Sequence, residues 1–432
     1  MPTHTQSPFF RRPGLAWRDH TLDVPLEHEI PGGEQISIYA REIVKPGKED
    51  ARLPFLLFLQ GGPGGKADRP QATNAWMDRA LDEFRVLLLD QRGTGRSTPA
   101  NRQTLASLSS PAKQADYLKH FRADSIVRDA ELLRAQLQGE TPWSILGQSF
   151  GGFCAVTYLS IAPSGLKEVF ITGGLPPLAA SADDVYRATY PRVIGKNELL
   201  FARYPADRDL ARRVADHLRE HDVRLPSGER LTPRRFQTLG ITLGSNGRFE
   251  TIHYLLEEAF VGGPRGPELS DTFLRGVDGI VSYASAPLYA LVHEAIYCQG
   301  TASRWAADRV RAEFPAFDLD ADQPITFTGE MIYPWFFDED PALTPLREAA
   351  NVLADFTDWP RLYDPARLAS NDVPVAALAY HDDMYVDCHY SLETARAIRG
   401  ARVWVTNQYE HDGLRAGRDV LDRLIKMARG EA

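Results

Sequence analysis

The sequence predicts an α/β protein with a mostly parallel sheet covered by helices on both faces, an antiparallel N-terminal edge and an inserted helical cap domain. Three observations support this class. Four continuous apolar runs, the pattern of strands buried on both faces, alternate with helix-forming sequence before residue 176. Two earlier segments alternate apolar and polar residues, as hairpin strands do. The buried-strand pattern returns near the C-terminus, after a long helical region.

The antiparallel edge is predicted at residues 20–28 and 35–44, which flank the turn sequence Pro31-Gly32-Gly33. Enough residues for a crossover separate the first two buried strands, so we expect these strands to run parallel. The four buried strands are predicted at residues 53–59, 84–90, 143–147 and 166–174.

A helix is predicted over residues 124–138, between the second and third buried strands. Its apolar residues recur near helical spacing, Asp124 is able to cap its start, and Gly139 follows its end. Strands that alternate with helices in this way are typical of βαβ units.

The character of the chain changes after residue 175. The next segment, to about residue 370, is helical, charged and aromatic and lacks comparable buried-strand runs. Strand patterns resume at residues 373–380 and 402–406, and a final helix is predicted at about 413–429. The predicted domains are residues 1–175 (sheet domain, first part), 176–370 (helical cap) and 371–432 (sheet domain, second part).

A strand, a sharp turn and a helix meet at Gly147-Gln-Ser149-Phe150-Gly151. The residue at the tip of such a turn has a strained backbone, so the positions two residues away must lack bulk, and glycine occupies both. The strain exposes the Ser149 hydroxyl. The Phe150 amide lies in the first turn of the following helix, where unpaired N–H groups and the helix dipole favour negative charge. We predict that Ser149 is a nucleophile and Phe150 an oxyanion-hole donor.

A glycine-rich segment, Gly61-Gly62-Pro63-Gly64-Gly65, follows the first buried strand directly. Consecutive glycines offer no packing advantage, but they let the backbone approach a ligand closely. We therefore predict that the Gly62 amide is the second donor to an oxyanion held over Ser149.

An acid and a histidine follow the two late strands. Parallel sheets bind ligands beyond the carboxyl ends of their strands, so both side chains are expected near the serine. His411 follows the last strand and is predicted to be the base, with Asp383 as the acid that fixes its tautomer. Asp382 and Asp387 are alternatives for the acid.

The composition argues against several classes of protein. The chain has 432 residues and a net charge of -9, whereas nucleic-acid binding favours a basic surface. Its three cysteines are widely spaced and suggest neither a disulfide framework nor a zinc site. No His-Glu-x-x-His motif is present, so no metal or other cofactor is expected. With no signal segment and no apolar run of membrane-spanning length, we expect a cytoplasmic protein without a membrane partner.

Five motifs together resemble the prolyl aminopeptidases (proline iminopeptidases) of the α/β-hydrolase fold. Gln60 departs from this pattern, because many relatives have histidine there. The resemblance also implies a cis peptide between Gly62 and Pro63. The motifs are Gly61-Gly62-Pro63-Gly64-Gly65, Asp90-Gln-Arg-Gly-Thr-Gly-Arg-Ser97, Gly147-Gln-Ser-Phe-Gly-Gly152, Tyr380-His-Asp-Asp-Met384 and Glu410-His-Asp-Gly413.

The resemblance implies a serine aminopeptidase that releases an N-terminal residue, preferably proline, through an acyl-enzyme. Its partners would be short peptides with a free N-terminus. A buried ammonium needs a carboxylate, and the cap, similar to those of the larger family members, offers Glu294 and Glu330. Nearby aromatic residues are candidates for an apolar slot that holds a pyrrolidine ring: Tyr297, Tyr333 and Trp335.

Two other functions fit parts of the pattern. A carboxylesterase, or another hydrolase of small acyl substrates, would keep the same triad on the same fold, because the cap decides the substrate. A catalytically inactive binding module would use the pocket only to capture a ligand. The sequence predicts no oligomeric state.

Overall fold

The computed structural model describes residues 3–73, 75–245, 248–264, 266–320 and 323–431. The strands in these residues are β1 (His4–Gln6), β2 (Phe10–Arg12), β3 (Leu15–Pro25), β4 (Gln35–Val44), β5 (Phe55–Leu59), β6 (Arg85–Asp90), β7 (Trp143–Gln148), β8 (Leu166–Thr172), β9 (Phe260–Gly263), β10 (Gly266–Leu269), β11 (Val375–Tyr380) and β12 (Arg402–Thr406).

The α-helices in the same residues are α1 (Ala75–Glu83), α2 (Arg102–Leu105), α3 (Pro111–Leu118), α4 (Ala123–Gln138), α5 (Phe150–Ile161), α6 (Ala182–Arg203), α7 (Asp207–Glu220), α8 (Pro233–Gln237), α9 (Arg248–Glu257), α10 (Asp271–Val281), α11 (Pro287–Val292), α12 (Ala306–Arg311), α13 (Phe336–Glu339), α14 (Arg347–Asp355), α15 (Pro365–Ala369), α16 (Cys388–Ala397), α17 (Gly413–Ala416) and α18 (Asp419–Arg429). Short 3-10 helices lie at Pro163–Gly165, Thr238–Thr242, Glu294–Tyr297, Pro315–Phe317 and Thr344–Leu346.

The main sheet has the strand order β1-β3-β4-β6-β5-β7-β8-β11-β12, with β2 paired to β3. The strands from β6 to β12 along this path pair in parallel, whereas β4 joins β6 antiparallel and β3 joins β4 antiparallel. The predicted fold class, a mostly parallel sheet with an antiparallel N-terminal edge, is confirmed.

The chain between β8 and β11, residues 173–374, is called the insert below. It carries most of the helices, as the sequence predicts for this region. It also contains a separate antiparallel pair, β9 with β10, that the sequence analysis does not anticipate. These strands are four residues each, and all but one of their residues are exposed or half-buried, so they lack the continuous apolar run by which buried strands are recognised.

Two helix ends differ from the sequence prediction. Helix α4 begins at Ala123, so Asp124 lies inside the first turn, and the preceding Arg122 makes no side-chain capping bond. The negative charge of Asp124 in the first turn still interacts favourably with the positive end of the helix dipole. The predicted final helix is two helices, because the chain is extended at Gly417 between α17 and α18.

Both faces of the sheet are covered. In β5, Leu57 and Leu59 join a large core that includes α4 and α5, whereas Leu56 and Phe58 face a second core under α1 and α18. This alternation explains the continuous apolar run, since every strand residue meets a hydrophobic layer. Buried side chains of the insert, among them Val193 and Phe327, belong to the larger core. Within the described residues, no helix combines the length and apolar character needed to span a membrane.

Candidate active site

Ser149 lies at a strained turn between β7 and α5. Its φ of 54° and ψ of −125° fall where few non-glycine residues are found. A Cβ atom at Gly147 would lie 2.3 Å from the Gly151 carbonyl oxygen, and one at Gly151 would lie 1.9 Å from the Leu59 carbonyl oxygen. The two glycines are therefore required by close backbone packing, which is the reason that the sequence pattern predicts for them.

The glycine-rich segment after β5 packs directly against this serine. A Cβ atom at Gly61 would lie 2.9 Å from the Ser149 Cβ. The next residue, Gly62, has a φ of +132°, and its peptide bond to Pro63 is cis, as the family resemblance implies. Phe150 is the first residue of α5, so its amide has no carbonyl partner within the helix. The glycine-rich segment and the first turn of α5 thus both lie beside Ser149.

Asp383 and His411 form a buried pair beyond the ends of β11 and β12. The Asp383 Oδ2 lies 2.7 Å from the His411 Nδ1. The Asp383 Oδ1 accepts backbone N–H bonds from Tyr385 and Val386, at 2.8 and 3.1 Å, which fix the carboxylate. The His411 Nε2 is buried and has no hydrogen-bond partner among the described residues. This nitrogen is available to a further group.

The other two aspartates lie elsewhere. Asp382 is half exposed and binds His381 at 2.8 Å. Asp387 caps α16 and accepts a hydrogen bond from Arg192 at 2.6 Å. Of the three candidates, the structure brings Asp383 to His411.

The environment of His411 favours the imidazolium. Burial by itself would lower the pKa of this histidine, but the charge of Asp383 and its hydrogen bond outweigh burial, so the pKa is raised above its ordinary value. An imidazole held in this way accepts a proton at Nε2 and is stabilised once it is charged.

Glu294 is buried, and its side chain meets the start of α12. Its Oε1 accepts the backbone N–H of Ala307 at 2.8 Å, and its Oε2 accepts that of Ala306 at 3.1 Å. Burial raises the pKa of this carboxyl to about 7, against these hydrogen bonds. Both oxygens therefore already have partners from the helix N-terminus.

Glu330 has a different environment. The Tyr289 hydroxyl donates to its Oε1 at 2.5 Å. Burial raises the pKa of Glu330 to about 7, and the charges of His411 and Asp383 also act on this carboxyl. Glu330 is therefore the predicted insert carboxylate with an electrostatic connection to the acid–base pair.

Comparison with known proteins supplies the family. Residues 54–267 match the family model described as the alpha/beta hydrolase fold. The "Proline iminopeptidase" of Aeromonas sobria is 53% identical over 418 residues, which are 96% of this chain and 97% of that protein. "Proline iminopeptidase aneH" of Aspergillus aculeatus is 38% identical over 406 residues, 92% of this chain and 89% of that protein. The chain belongs to the proline iminopeptidase family.

This member of the family is an enzyme of the hydrolase class with the α/β-hydrolase fold. Among solved structures, an enol-lactonase from Burkholderia xenovorans LB400 aligns over 91% of this chain and 97% of its own length. That alignment has 13% identity and a TM-score of 0.40.

The predicted aromatic residues lie in two groups. The Tyr297 ring centroid is 6.0 Å from that of Phe153 on α5, and Phe153 in turn lies 6.2 Å from Phe150. Tyr297 therefore continues an aromatic row that begins beside the nucleophile. Tyr333 stacks on Trp335 with centroids 5.5 Å apart, and the Tyr333 hydroxyl lies 3.0 Å from that of Tyr190.

Two glycines that the sequence analysis left without a role help to shape the site. Gly173 and Gly174 follow β8, and a Cβ atom at Gly173 would lie 3.0 Å from the His411 Nδ1. A Cβ atom at Gly174 would lie 2.3 Å from the Ser149 carbonyl oxygen. This turn therefore lies between the serine and the histidine. The signal was a glycine pair directly after a buried strand, the same signal that singled out Gly62.

Proposed function

We propose that this chain is a serine aminopeptidase that releases an N-terminal residue, preferably proline, from short peptides with a free N-terminus. The observation that carries the proposal is the buried pair of Asp383 and His411, 2.7 Å apart. Its free Nε2 lies across a glycine turn from the strained Ser149. The two relatives named above are proline iminopeptidases, and this chain aligns with most of the length of each. They support the choice of substrate.

The first half of the reaction forms an acyl-enzyme. The Ser149 Oγ attacks the carbonyl carbon of the N-terminal residue, and the His411 Nε2 accepts the hydroxyl proton. Asp383, held at the His411 Nδ1, keeps the imidazole in the tautomer that leaves Nε2 basic. The amides of Gly62 and Phe150 donate to the oxyanion that develops on the carbonyl.

The second half releases both products. The imidazolium of His411 donates its proton to the leaving amine, the C–N bond breaks, and the shortened peptide departs. A water molecule then attacks the acyl carbon, His411 accepts a proton from that water, and Ser149 recovers its proton as the free amino acid is released. The proposed chemistry therefore combines side chains and backbone amides of the chain with one water molecule.

Recognition of the free amine is assigned to the insert. Glu330 has one hydroxyl donor and lies within the field of the acid–base pair, so its carboxylate is the proposed direct partner of the substrate ammonium. Both oxygens of Glu294 already accept backbone N–H bonds, so Glu294 is not proposed to bind the ammonium directly. Its proposed contribution is a negative electrostatic potential when it is ionised. Tyr297 is the proposed wall next to the ring of an N-terminal proline, with Tyr333 and Trp335 behind it.

The test compares three substrates: proline 4-nitroanilide, its N-acetylated form and 4-nitrophenyl acetate. Wild type is expected to cleave the free-amine anilide and to leave the N-acetylated form intact, and Ser149→Ala is expected to lose this activity. Rapid cleavage of the acetate alone would overturn the peptidase and favour the carboxylesterase. Failure of a fluorophosphonate to label the wild-type chain at Ser149 would overturn both enzymes.

A further inference from the structure

The insert contacts two loops of the sheet domain: residues 381–387, which carry Asp383 and are called the acid loop, and residues 407–412, which carry His411 and are called the histidine loop. We propose that α6 and the turn at residues 241–244 position His411, so that the base of the proposed reaction is held by the insert as well as by the sheet. Lys196 is the proposed positioning residue at the centre of this contact. The inference rests on the proposed function, because it assigns His411 the role of the base.

Lys196 on α6 is a buried cation, with 4% of its side chain exposed. Its Nζ lies 2.5 Å from the Oε2 of Glu410, the residue directly before His411. A buried ammonium is stable only with a close counter-charge, so Lys196 and Glu410 hold each other in place. The backbone on the N-terminal side of His411 is thereby tied to α6.

The turn at residues 241–244 contacts His411 itself. The His411 backbone N–H donates to the Gly244 carbonyl at 2.9 Å. On the other side, the Tyr385 ring lies 4.9 Å from the imidazole, measured between centroids. The Tyr385 hydroxyl donates to the Ile241 carbonyl and accepts the Gly244 N–H at 3.2 Å. The same turn therefore supports the backbone of the histidine and the ring that packs on it.

Arg192, one helical turn before Lys196, ties the acid loop to the same helix. Its Nε donates to the Asp387 Oδ2 at 2.6 Å, and its guanidinium donates to the His381 carbonyl at 3.0 Å. Side chains four residues apart lie on one face of a helix. One face of α6 therefore holds both loops that present the acid and the base.

The sheet alone supports the histidine poorly. His411 follows β12, an edge strand whose five residues are all exposed or half-buried. Ser149, in contrast, follows β7, whose six residues are all buried in the middle of the sheet. A loop that leaves a half-exposed edge strand needs contacts from another layer to keep a side chain in place. The insert provides those contacts.

The experiment is a double-mutant cycle on the full chain with Lys196→Met, Glu410→Gln and the double variant. The measurements are the rate at which a fluorophosphonate labels Ser149, and kcat and KM for proline 4-nitroanilide, each per folded molecule. Lys196→Met is expected to lower the labelling rate and kcat by roughly 10- to 100-fold with little change in KM, because the base is displaced. The double variant is expected to lose no more than Lys196→Met alone, since the two residues act as one pair.

The matched control is Arg187→Met, which removes another ion pair of α6. Arg187 binds Glu313 at 2.8 Å on the surface of the insert. This variant is expected to label Ser149 at the wild-type rate. Glu410→Gln, whose side chain is 22% exposed, serves if Lys196→Met does not fold. It is expected to show the same loss of labelling and kcat.

Two results would overturn the inference. One is a lowered melting temperature in Lys196→Met with labelling per folded molecule as fast as in wild type, which would mark a purely structural pair. The other is a double variant whose loss is the product of the single losses. Neither depends on the substrate assignment. If wild type cleaves only esters, the proposed aminopeptidase fails, yet the labelling rates still decide whether Lys196 positions His411.

Discussion

Two carboxylates of the insert, the buried Glu294 and the half-buried Glu330, differ in their surroundings, although loss of hydration raises both pKa values to about 7. Glu294 faces the start of α12, where two backbone amides occupy its two oxygens. Glu330 faces the acid–base pair and has one hydroxyl donor, from Tyr289. Both oxygens of Glu294 therefore have backbone partners, whereas Glu330 has a single hydroxyl donor.

The difference teaches that a raised pKa does not by itself identify a binding group. A carboxylate at a helix N-terminus is stabilised by amides and by the helix dipole, so removing it damages the fold. A carboxylate with few internal donors is costly to bury, and a substrate ammonium relieves that cost. We therefore expect Glu330 to govern substrate affinity and Glu294 to govern the stability of the insert.

The largest expected effect is that of Glu330→Gln on free-amine substrates. Loss of a desolvated charge pair costs about 2 kcal/mol or more, so kcat/KM for proline 4-nitroanilide should fall at least about 30-fold. Turnover of 4-nitrophenyl acetate, which has no ammonium, should change little. Steady-state kinetics on both substrates make the measurement. A variant that cleaves the anilide as fast as wild type would assign the ammonium to another group.

The pH dependence should show a smaller effect of the same carboxylate. Burial keeps Glu330 protonated up to a pKa of about 7, so the ionised form that binds an ammonium appears as the pH rises through 7. Below this pH, kcat/KM for the free-amine substrate should fall up to about tenfold per pH unit for this group. The charges of His411 and Asp383 and the hydroxyl of Tyr289 act on Glu330. The ester has no ammonium, so its pH profile reports the ionisation of His411, whose pKa the charge of Glu330 also raises.

In Glu330→Gln, the anilide and ester profiles should coincide. If the pH profiles of the two substrates still differ in this variant, another ionising group binds the ammonium. Tyr289→Phe is the matched variant, because it removes the hydroxyl that donates to Glu330 and keeps the carboxylate.

Glu294 should affect activity less and stability more. Glu294→Ala leaves the amides of Ala306 and Ala307 without their partner, which should lower the free energy of unfolding by about 2 kcal/mol. Glu294→Gln keeps one acceptor oxygen and should lose less. Urea titration measures both. A loss of anilide turnover in Glu294→Gln as large as that in Glu330→Gln would remove the distinction between the two carboxylates.

The same carboxyl should also make the stability of the protein depend on pH. The folded protein holds a proton on Glu294 up to a pKa of about 7, compared with 4.5 for an unperturbed glutamate. A raised carboxyl pKa costs stability as the pH rises, so the contribution of Glu294 should decline between about pH 4.5 and 7. Glu294→Gln should abolish this slope. Unfolding free energies for wild type and variant across this pH range provide the check.

The sequence predicted the buried strands and the nucleophile turn closely, but it did not predict β1 and β2, and β3 spans Leu15–Pro25 rather than residues 20–28. The runs that end at Leu59 and Asp90 are strands with the predicted ends, because a strand buried on both faces leaves a continuous apolar signature. The need for glycine on both sides of Ser149 could be predicted from the sequence, because it arises from steric crowding within one turn. The insert was predicted only as helical, and its β9–β10 pair was not anticipated.

The sequence by itself determined the order of the buried strands, the strained serine and the residue types that could act beside it. These follow from periodicity and backbone sterics over a few neighbouring residues. Only the tertiary structure decided that Asp383 meets His411, that Glu294 meets a helix start and Glu330 does not, and that Lys196 meets Glu410 across 214 residues. Such pairs join distant segments through packing, and no local pattern in the chain records them.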